Sequence, residues 1–257
     1  MPACKGSTTP PPPAVTVSSI TVTSASTMLK VGQTETFTAT CNMSNGTQQA
    51  ATGTWSSSAG TVAQVNASGL VTIVGAGNAN IVMTQSGKTG SKGIRGVPDY
   101  QGTWGPGTYR IDSCSNTGDW ATAGFCGAIP VGTILQVTLI MTQTSDTVNC
   151  TFFLGTLSST ASGQIATNGQ LTLTGRYTSG TTSIDVVVVL QQTIPLQLTG
   201  TLGQLWTDTG MSGDGQFGCT IVALSRTSPV PNEAAVPRMA PPKGATYRDL
   251  LNALGIR

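Results

Sequence analysis

The sequence contains no histidine. That absence removes the Ser-His-Asp and Cys-His arrangements, the usual general base near pH 7 and the commonest metal ligand. Charge is scarce as well: 9% of residues are Asp, Glu, Lys or Arg, the net charge is +2, and the 12 basic residues are scattered rather than clustered. Such a surface offers no footprint for a phosphate backbone, so nucleic acid is not an expected partner. Glycoside hydrolysis needs two facing carboxylates. The candidate pairs, Asp112 with Asp119 and Asp208 with Asp214, read as solvated turn residues. The run from Asp208 to Gly215 lacks the alternating acids and terminal Glu of a calcium loop, and no Cys-x-x-Cys spacing marks a zinc site. Gly87-Lys88-Thr89 lacks the upstream glycine of a phosphate loop. No apolar run approaches the roughly 18 residues that cross a bilayer as a helix. No catalytic residue, metal or cofactor is therefore expected, and the chain reads as non-enzymatic, with a carbohydrate-active hydrolase as a remote alternative.

What is abundant is Ser, Thr, Asn, Gln and Gly, the surface of an exported β-protein. At 257 residues the chain holds about two domains, each large enough for its own core. In the first, Glu35 to Cys41 alternates: Phe37, Ala39 and Cys41 share one face and Thr36, Thr38 and Thr40 the other, the pattern of a half-buried strand. Trp55 is expected to fill the middle. Gly75 to Met83 is a glycine turn feeding another strand. Short strands at this spacing predict a small β-sandwich over residues 15–85.

The ordered series Val31-Gly32, Trp55-Ser56-Ser57, Val62-Ala63, Val65, Gly69-Leu70-Val71, Gly77 and Ile81 resembles a bacterial immunoglobulin-like group 2 domain, over about residues 17–84. The resemblance implies an immunoglobulin-like fold, an extracellular setting of the kind such modules have in adhesins, and no shared catalytic residue. Residues 86–98, rich in glycine and charge, are expected to be a linker.

From residue 99 a second rhythm begins. Gly102-Thr103-Trp104 opens a strand through Ile111. Further strands are predicted at Ile134 to Gln143, Val148 to Leu154, Ser162 to Ala166, Gln170 to Tyr177, Ile184 to Leu190, Leu196 to Leu205 and Gln216 to Leu224. Turns such as Ser145-Asp146, Asn168-Gly169 and Ser179-Gly180 lie between them. Eight strands in a meander, over 99–226, suit an up-and-down barrel, with a second sandwich as the rival. The Gly-x-Trp opening is similar to that of lipocalin-like barrels, which implies a small-ligand interior as an alternative function. Val186 to Val189 is a continuous apolar run, expected to be buried on both faces. The fold class is thus all-β, with a short C-terminal helix.

Both ends of the chain are proline-rich. Residues 1–14 form a Pro/Thr-rich arm, and Ala3-Cys4 near its start, ahead of Thr8-Thr9-Pro10, resembles the end of a lipobox. That implies acyl chains on Cys4, membrane attachment through them, and a Met1 that is not part of the mature chain; the other reading of Cys4 is an incidental thiol. Residues 227–244 form a second proline-rich stretch. In 245–257, Thr246 with Asp249 three residues on makes an N-terminal cap. Tyr247, Leu250, Leu251 and Leu254 then mark a short amphipathic helix that either packs back onto a domain or docks on a partner.

Cys114 and Cys126 bracket a loop and predict a disulfide, with Cys150–Cys219 as the second bridge; a Cys114–Cys219 and Cys126–Cys150 pattern stays open. Cys41, on the Phe37 face, is expected to be a buried free thiol. The ligand-contact candidates are aromatic: Trp104, Tyr109, Trp120, Phe125 and Trp206. Trp120 and Phe125 lie in the bracketed loop, where exposed rings would serve a sugar, lipid or protein, while the plainer reading puts Trp104 and Trp206 in the core and the loop rings over a barrel end. Together these features predict a cell-surface or extracellular protein of adhesion or structural assembly. Its partners would be proteins or glycans at the surface, or copies of itself.

Overall fold

The computed structural model describes residues 13–155, 157–194 and 196–231. Cys4 and its arm, and Tyr247, Leu250, Leu251 and Leu254, lie outside the described residues. The chain forms two compact units, the first ending at Arg95.

The first unit is a β-sandwich of short strands: β1 (Val17–Thr23), β2 (Met28–Lys30), β3 (Thr34–Thr36), β4 (Thr38–Met43), β5 (Gln48–Ala50), β6 (Thr54–Ser57), β7 (Ala63–Val65), β8 (Leu70–Ile73), β9 (Gly77–Gln85) and β10 (Lys88–Val97). They pair as β1-β4-β5, β2-β10-β9-β6 and β3-β8-β7. Phe37, Cys41, Val71, Ile73, Ile81 and Met83 form its core, and Cys41 is a free buried thiol.

Three expectations are corrected here. The alternating run from Glu35 to Cys41 is split at Phe37, with β3 pairing with β8 while β4 pairs with β1. Phe37 donates its N–H to the Gly69 carbonyl (2.9 Å). Gly69 permits this approach: its φ is +83°, and a Cβ there would stand 2.4 Å from the Phe37 carbonyl oxygen. Trp55 is only half-buried, because β6 is the edge strand of its sheet, and aliphatic side chains fill the centre instead. The stretch read as a linker is largely strand β10, reached from β9 by a two-residue turn at Ser86 (φ 51°) and Gly87 (φ 73°). Gly90 and Gly93 had diluted the alternation that continues to Ile94.

The second unit is a closed barrel of eight antiparallel strands. β11 (Gly102–Asn116) is followed by α1 (Gly118–Thr122) and α2 (Phe125–Ala128). Then come β12 (Ile134–Thr144), β13 (Thr147–Leu154), β14 (Leu157–Ile165), β15 (Leu171–Ser179), β16 (Thr182–Ile194), β17 (Gln197–Asp208) and β18 (Gly215–Ser228), which pairs with β11. Closure removes both sheet edges and disposes of the rival sandwich. The expected strand count and turns are present, with Ser145 (φ 56°), Gly169 and Gly180 in the left-handed region at three of the turns.

Inward positions alternate with outward ones along each strand. Leu139, Phe152, Leu171, Leu173, Val188 and Leu202 are among the buried inward residues, and the outward positions are mostly Thr, Ser, Asn and Gln. The four-valine run follows the same rule. Val186 and Val188 point in and are buried, whereas Val187 is 45% exposed, so the run is not covered on both faces. In an antiparallel barrel one face meets solvent, and a continuous valine run reports strand preference rather than double burial.

Candidate functional site

Of the predicted aromatic site residues, Trp104 lies at one end of the barrel and Trp120, Phe125 and Trp206 at the other. At one end Trp104 opens β11, fully buried. Its indole N–H donates to the Tyr100 carbonyl (2.7 Å). The Arg226 guanidinium carbon, carried by the last strand, lies 5.5 Å from the Trp104 ring centroid, and Arg226 Nη2 bonds Asp99 Oδ2 at 2.9 Å. Gln143 ties down the entering chain: its Oε1 accepts from the Tyr100 N–H (2.8 Å), and its Nε2 donates to the carbonyls of Pro98 (3.0 Å) and Ser145 (2.9 Å). The Tyr100 hydroxyl donates to the Gly169 carbonyl (2.7 Å), and burial pushes its pKa up to about 12.

Of this cluster only Trp104 was picked out from sequence. Asp99, Tyr100, Gln143 and Arg226 were missed. The available signal was phase: Arg226 is two residues beyond Leu224 in β18 and so falls on the same inward face.

At the other end, Cys114 on β11 is bridged to Cys126, and the segment between them folds as α1 and the start of α2. Trp120 and Phe125 are inserted and fully buried. Phe125 stacks on Phe217 (4.6 Å between centroids) and meets Trp120 (5.1 Å) and Trp206 (5.7 Å) edge-on. Gly215 makes the space, since a Cβ there would stand 2.4 Å from the Phe125 ring. Outside the aromatics runs a polar latch to the β17–β18 loop. The Asp119 carboxylate accepts from Ser212 N–H (2.7 Å) and Oγ (2.9 Å), the Asp119 N–H donates to the Ser212 carbonyl (3.0 Å), and the Thr117 N–H donates to the Asp214 carbonyl (2.8 Å). The Ser212 N–H and then its hydroxyl hold the Asp119 carboxyl below its ordinary pKa.

Between the ends, Tyr109 points inward. Its hydroxyl faces Gln204 without the geometry of a hydrogen bond, and burial drives its pKa strongly upward. Gln204 Oε1 instead accepts from the Trp206 indole N–H (3.1 Å). All five aromatic candidates are thus buried: the loop rings Trp120 and Phe125 cap the barrel rather than face solvent.

Cys150 and Cys219 are buried free thiols, not the second bridge. They sit on β13 and β18, which β11 and β12 separate in the barrel. Burial pushes each thiol up to about 12, which makes them poor nucleophiles. The carboxylate pairs do not converge on shared chemistry. Asp112 accepts from Thr220 (2.5 Å) and pairs with Arg110 (2.8 Å), and Thr220 first, then Arg110, lower its pKa. Asp208 accepts from Thr181, Thr182 and the Gly210 N–H. Among the described residues no group of three or more Cys, Asp or Glu is placed to hold a metal ion.

The sandwich geometry of the first unit, with Gly69 against Phe37 and the β9–β10 hairpin completing one sheet, bears on its kinship. Residues 16–94 match the bacterial Ig-like domain (group 2). The match reaches ten residues beyond the stretch that carries the resemblance in sequence because it takes in most of β10. No curated protein matches the chain. Domains of this group occur in bacterial surface and exported proteins, and in this chain the Ig-like domain precedes a β-barrel.

Proposed function

We propose that the chain is a non-enzymatic protein of the bacterial surface or exterior, acting in adhesion or structural assembly, with the Ig-like domain as spacer and the outer faces of the barrel as contact surfaces. The observation that carries this reading is the closure of the barrel at both ends by its own side chains. An eight-stranded barrel has an interior just wide enough for side chains or one small ligand, and here Trp104, Tyr109, Phe152, Trp206 and Phe217 all project into it. The aromatic rings a ligand would stack on are withdrawn from solvent, so contact falls to the hydroxyl- and amide-bearing exterior. Export agrees with the Cys114–Cys126 bridge, since disulfides persist in oxidising compartments. A lipid on Cys4 would fix the chain to a membrane through its proline arm.

The second reading, a small-ligand carrier, is favoured by the polar atoms of Tyr109 and Gln204 in the interior. Native and denaturing mass spectrometry on protein from its own host separates the two. Acyl mass on the N-terminal peptide with an otherwise bare chain is the expected result. A second mass lost only on denaturation would replace assembly with carriage.

A further inference from the structure

The Ig-like domain carries a charge bias that the barrel does not share. Its described residues hold four basic side chains, Lys30, Lys88, Lys92 and Arg95, against one acid, Glu35, whereas the described part of the barrel unit has three arginines and seven aspartates. All four cations of the domain lie on β2 and β10, which are neighbours in one sheet. Anions are therefore drawn to these two strands rather than to the barrel.

The outer face of that sheet holds a hollow of about 370 Å³, and Arg95 is part of its wall. Alternation sets the rest of the lining. Ala79 and Ile94 belong to the core, so Asn78 and Asn80 on β9, and Gly93 and Arg95 on β10, face outward. The Ser58 N–H donates to the Asn80 carbonyl (2.9 Å) and its Oγ accepts from the Asn80 N–H (2.8 Å), which sets Ser58 on one side of the hollow. On the other side the Arg95 N–H donates to the Thr27 carbonyl (2.8 Å). Gly93 leaves the floor open: a Cβ there would meet nothing nearer than Asn80 Oδ1 at 3.5 Å, whereas one on Gly90 would stand 2.3 Å from the Ile20 carbonyl oxygen of β1. Among the described residues the lining lies wholly within the first unit and contains no acid. Glu35 is engaged elsewhere, its Oε1 accepting from the Ala25 N–H (2.8 Å).

A guanidinium holds a carboxylate through two parallel N–H groups, and asparagine amides and hydroxyls each offer both a donor and an acceptor. A bare anion would use donors alone. The mixture suits a ligand that is itself a ring of hydroxyls bearing one carboxylate, and the hollow far exceeds the roughly 30 Å³ share of a single water. We infer that this hollow binds a carboxylate-bearing sugar, with Arg95 on the carboxylate and Asn78, Asn80, Ser58 and Thr27 on the ring hydroxyls. The Ig-like domain then has a contact of its own, an acidic glycan, in addition to its part as spacer.

Titration of the full chain with trigalacturonic acid, followed by amide NMR, tests this. The amide signals of Asn78, Asn80, Gly93 and Arg95 should move while those of the barrel stay still, and galactotriose, the neutral counterpart, should bind at least about tenfold more weakly, the factor that one charge-assisted hydrogen bond supports. Arg95→Gln should lose affinity to the same degree. Because Arg95 is half-buried and its loss could disturb the fold, Gly93→Asp provides the second variant: it leaves Arg95 in place, has room for its Cβ, and sets a carboxylate where the ligand's would lie. Lys88→Gln should change affinity less than about twofold, since at seven residues along β10 it stands roughly 23 Å away and charges beyond about 8 Å are screened at 0.15 M salt. A parent chain that does not bind trigalacturonic acid overturns the inference, as do signals that move elsewhere or affinity that survives Gly93→Asp. Equal binding of galactotriose would remove the carboxylate from the argument, and equal binding of a triaspartate peptide would remove the sugar; either overturns it too. Light scattering on the same samples reads self-assembly, which needs no hollow, so the assembly reading stands or falls separately.

Discussion

At the Trp104 end the barrel is sealed by groups fixed on its own framework: an indole on the first strand, a guanidinium on the last, and a glutamine on β12 that holds the entering chain by three hydrogen bonds. At the Trp120 end it is sealed by a segment that leaves the framework after β11 and is held by one disulfide, four packed aromatic rings and a surface latch. Both ends bury tryptophan completely, so burial alone does not distinguish them. The difference lies in what must break to open each. The first opens only with the barrel, whereas the second opens by loss of local contacts and so belongs to the low-stability end of the molecule's fluctuations.

The sharpest way to break that comparison is to truncate the two tryptophans. Trp104→Ala is expected to cost about 3–5 kcal/mol and to shift the denaturant midpoint of the whole barrel. Trp120→Ala should fall at or below the bottom of that range, because its segment can settle without dragging strands. Equal losses would mean that the plug is as integral as the sealed end. Next in size is the double change Cys114→Ser with Cys126→Ser. For a loop of 12-residue separation it should cost about 3 kcal/mol, and hydrogen exchange should rise first in 115–130 and 209–215 while 98–104 stays protected. Arg226→Leu tests the other end. Removing the charged hydrogen-bond partner of Asp99 should cost about 1–3 kcal/mol, seen as a lower melting temperature of the barrel with no change in exchange at 115–130.

How much of this was legible beforehand follows from which forces leave a local mark. The barrel strands were readable because alternation and turn residues act over a few positions: Ser145-Asp146 and Asn168-Gly169 sit where expected. Cys114–Cys126 was readable because the two cysteines bracket one loop. Strand β10 was lost because glycines at 90 and 93 broke the period, although the hairpin turn before it was in plain view as Ser86-Gly87. Phe37 marked a strand but hid a change of sheet, since register and sheet membership are decided by distant partners such as Gly69. The same limit hid the Arg226–Asp99–Trp104 cluster, whose members lie at opposite ends of the barrel sequence. Burial of Val187 was over-predicted because four valines in a row signal strand preference as readily as a covered face.

The smallest expected effect is also the most selective, because it touches the latch and nothing at the other end. Asp119 is held below its ordinary pKa by the Ser212 N–H and hydroxyl. A carboxylate with a depressed folded-state pKa contributes stability that is full above its unfolded value, near 3.9, and that fades as pH falls through the folded value. Acid should therefore loosen the latch below about pH 4, with exchange rising at Ser212 and across 117–122 before the barrel unfolds. Asp119→Asn keeps the shape and one acceptor oxygen but removes the charge, so it should show part of that loosening already at neutral pH and lose the acid dependence. The disulfide would still anchor the segment, and Trp120 and Phe125 would stay packed, which keeps the effect local. If Asp119→Asn instead shifted exchange at Tyr100 and Gln143, the two ends would be coupled through the barrel, and the plug would have to be treated as part of the framework rather than as an attachment to it.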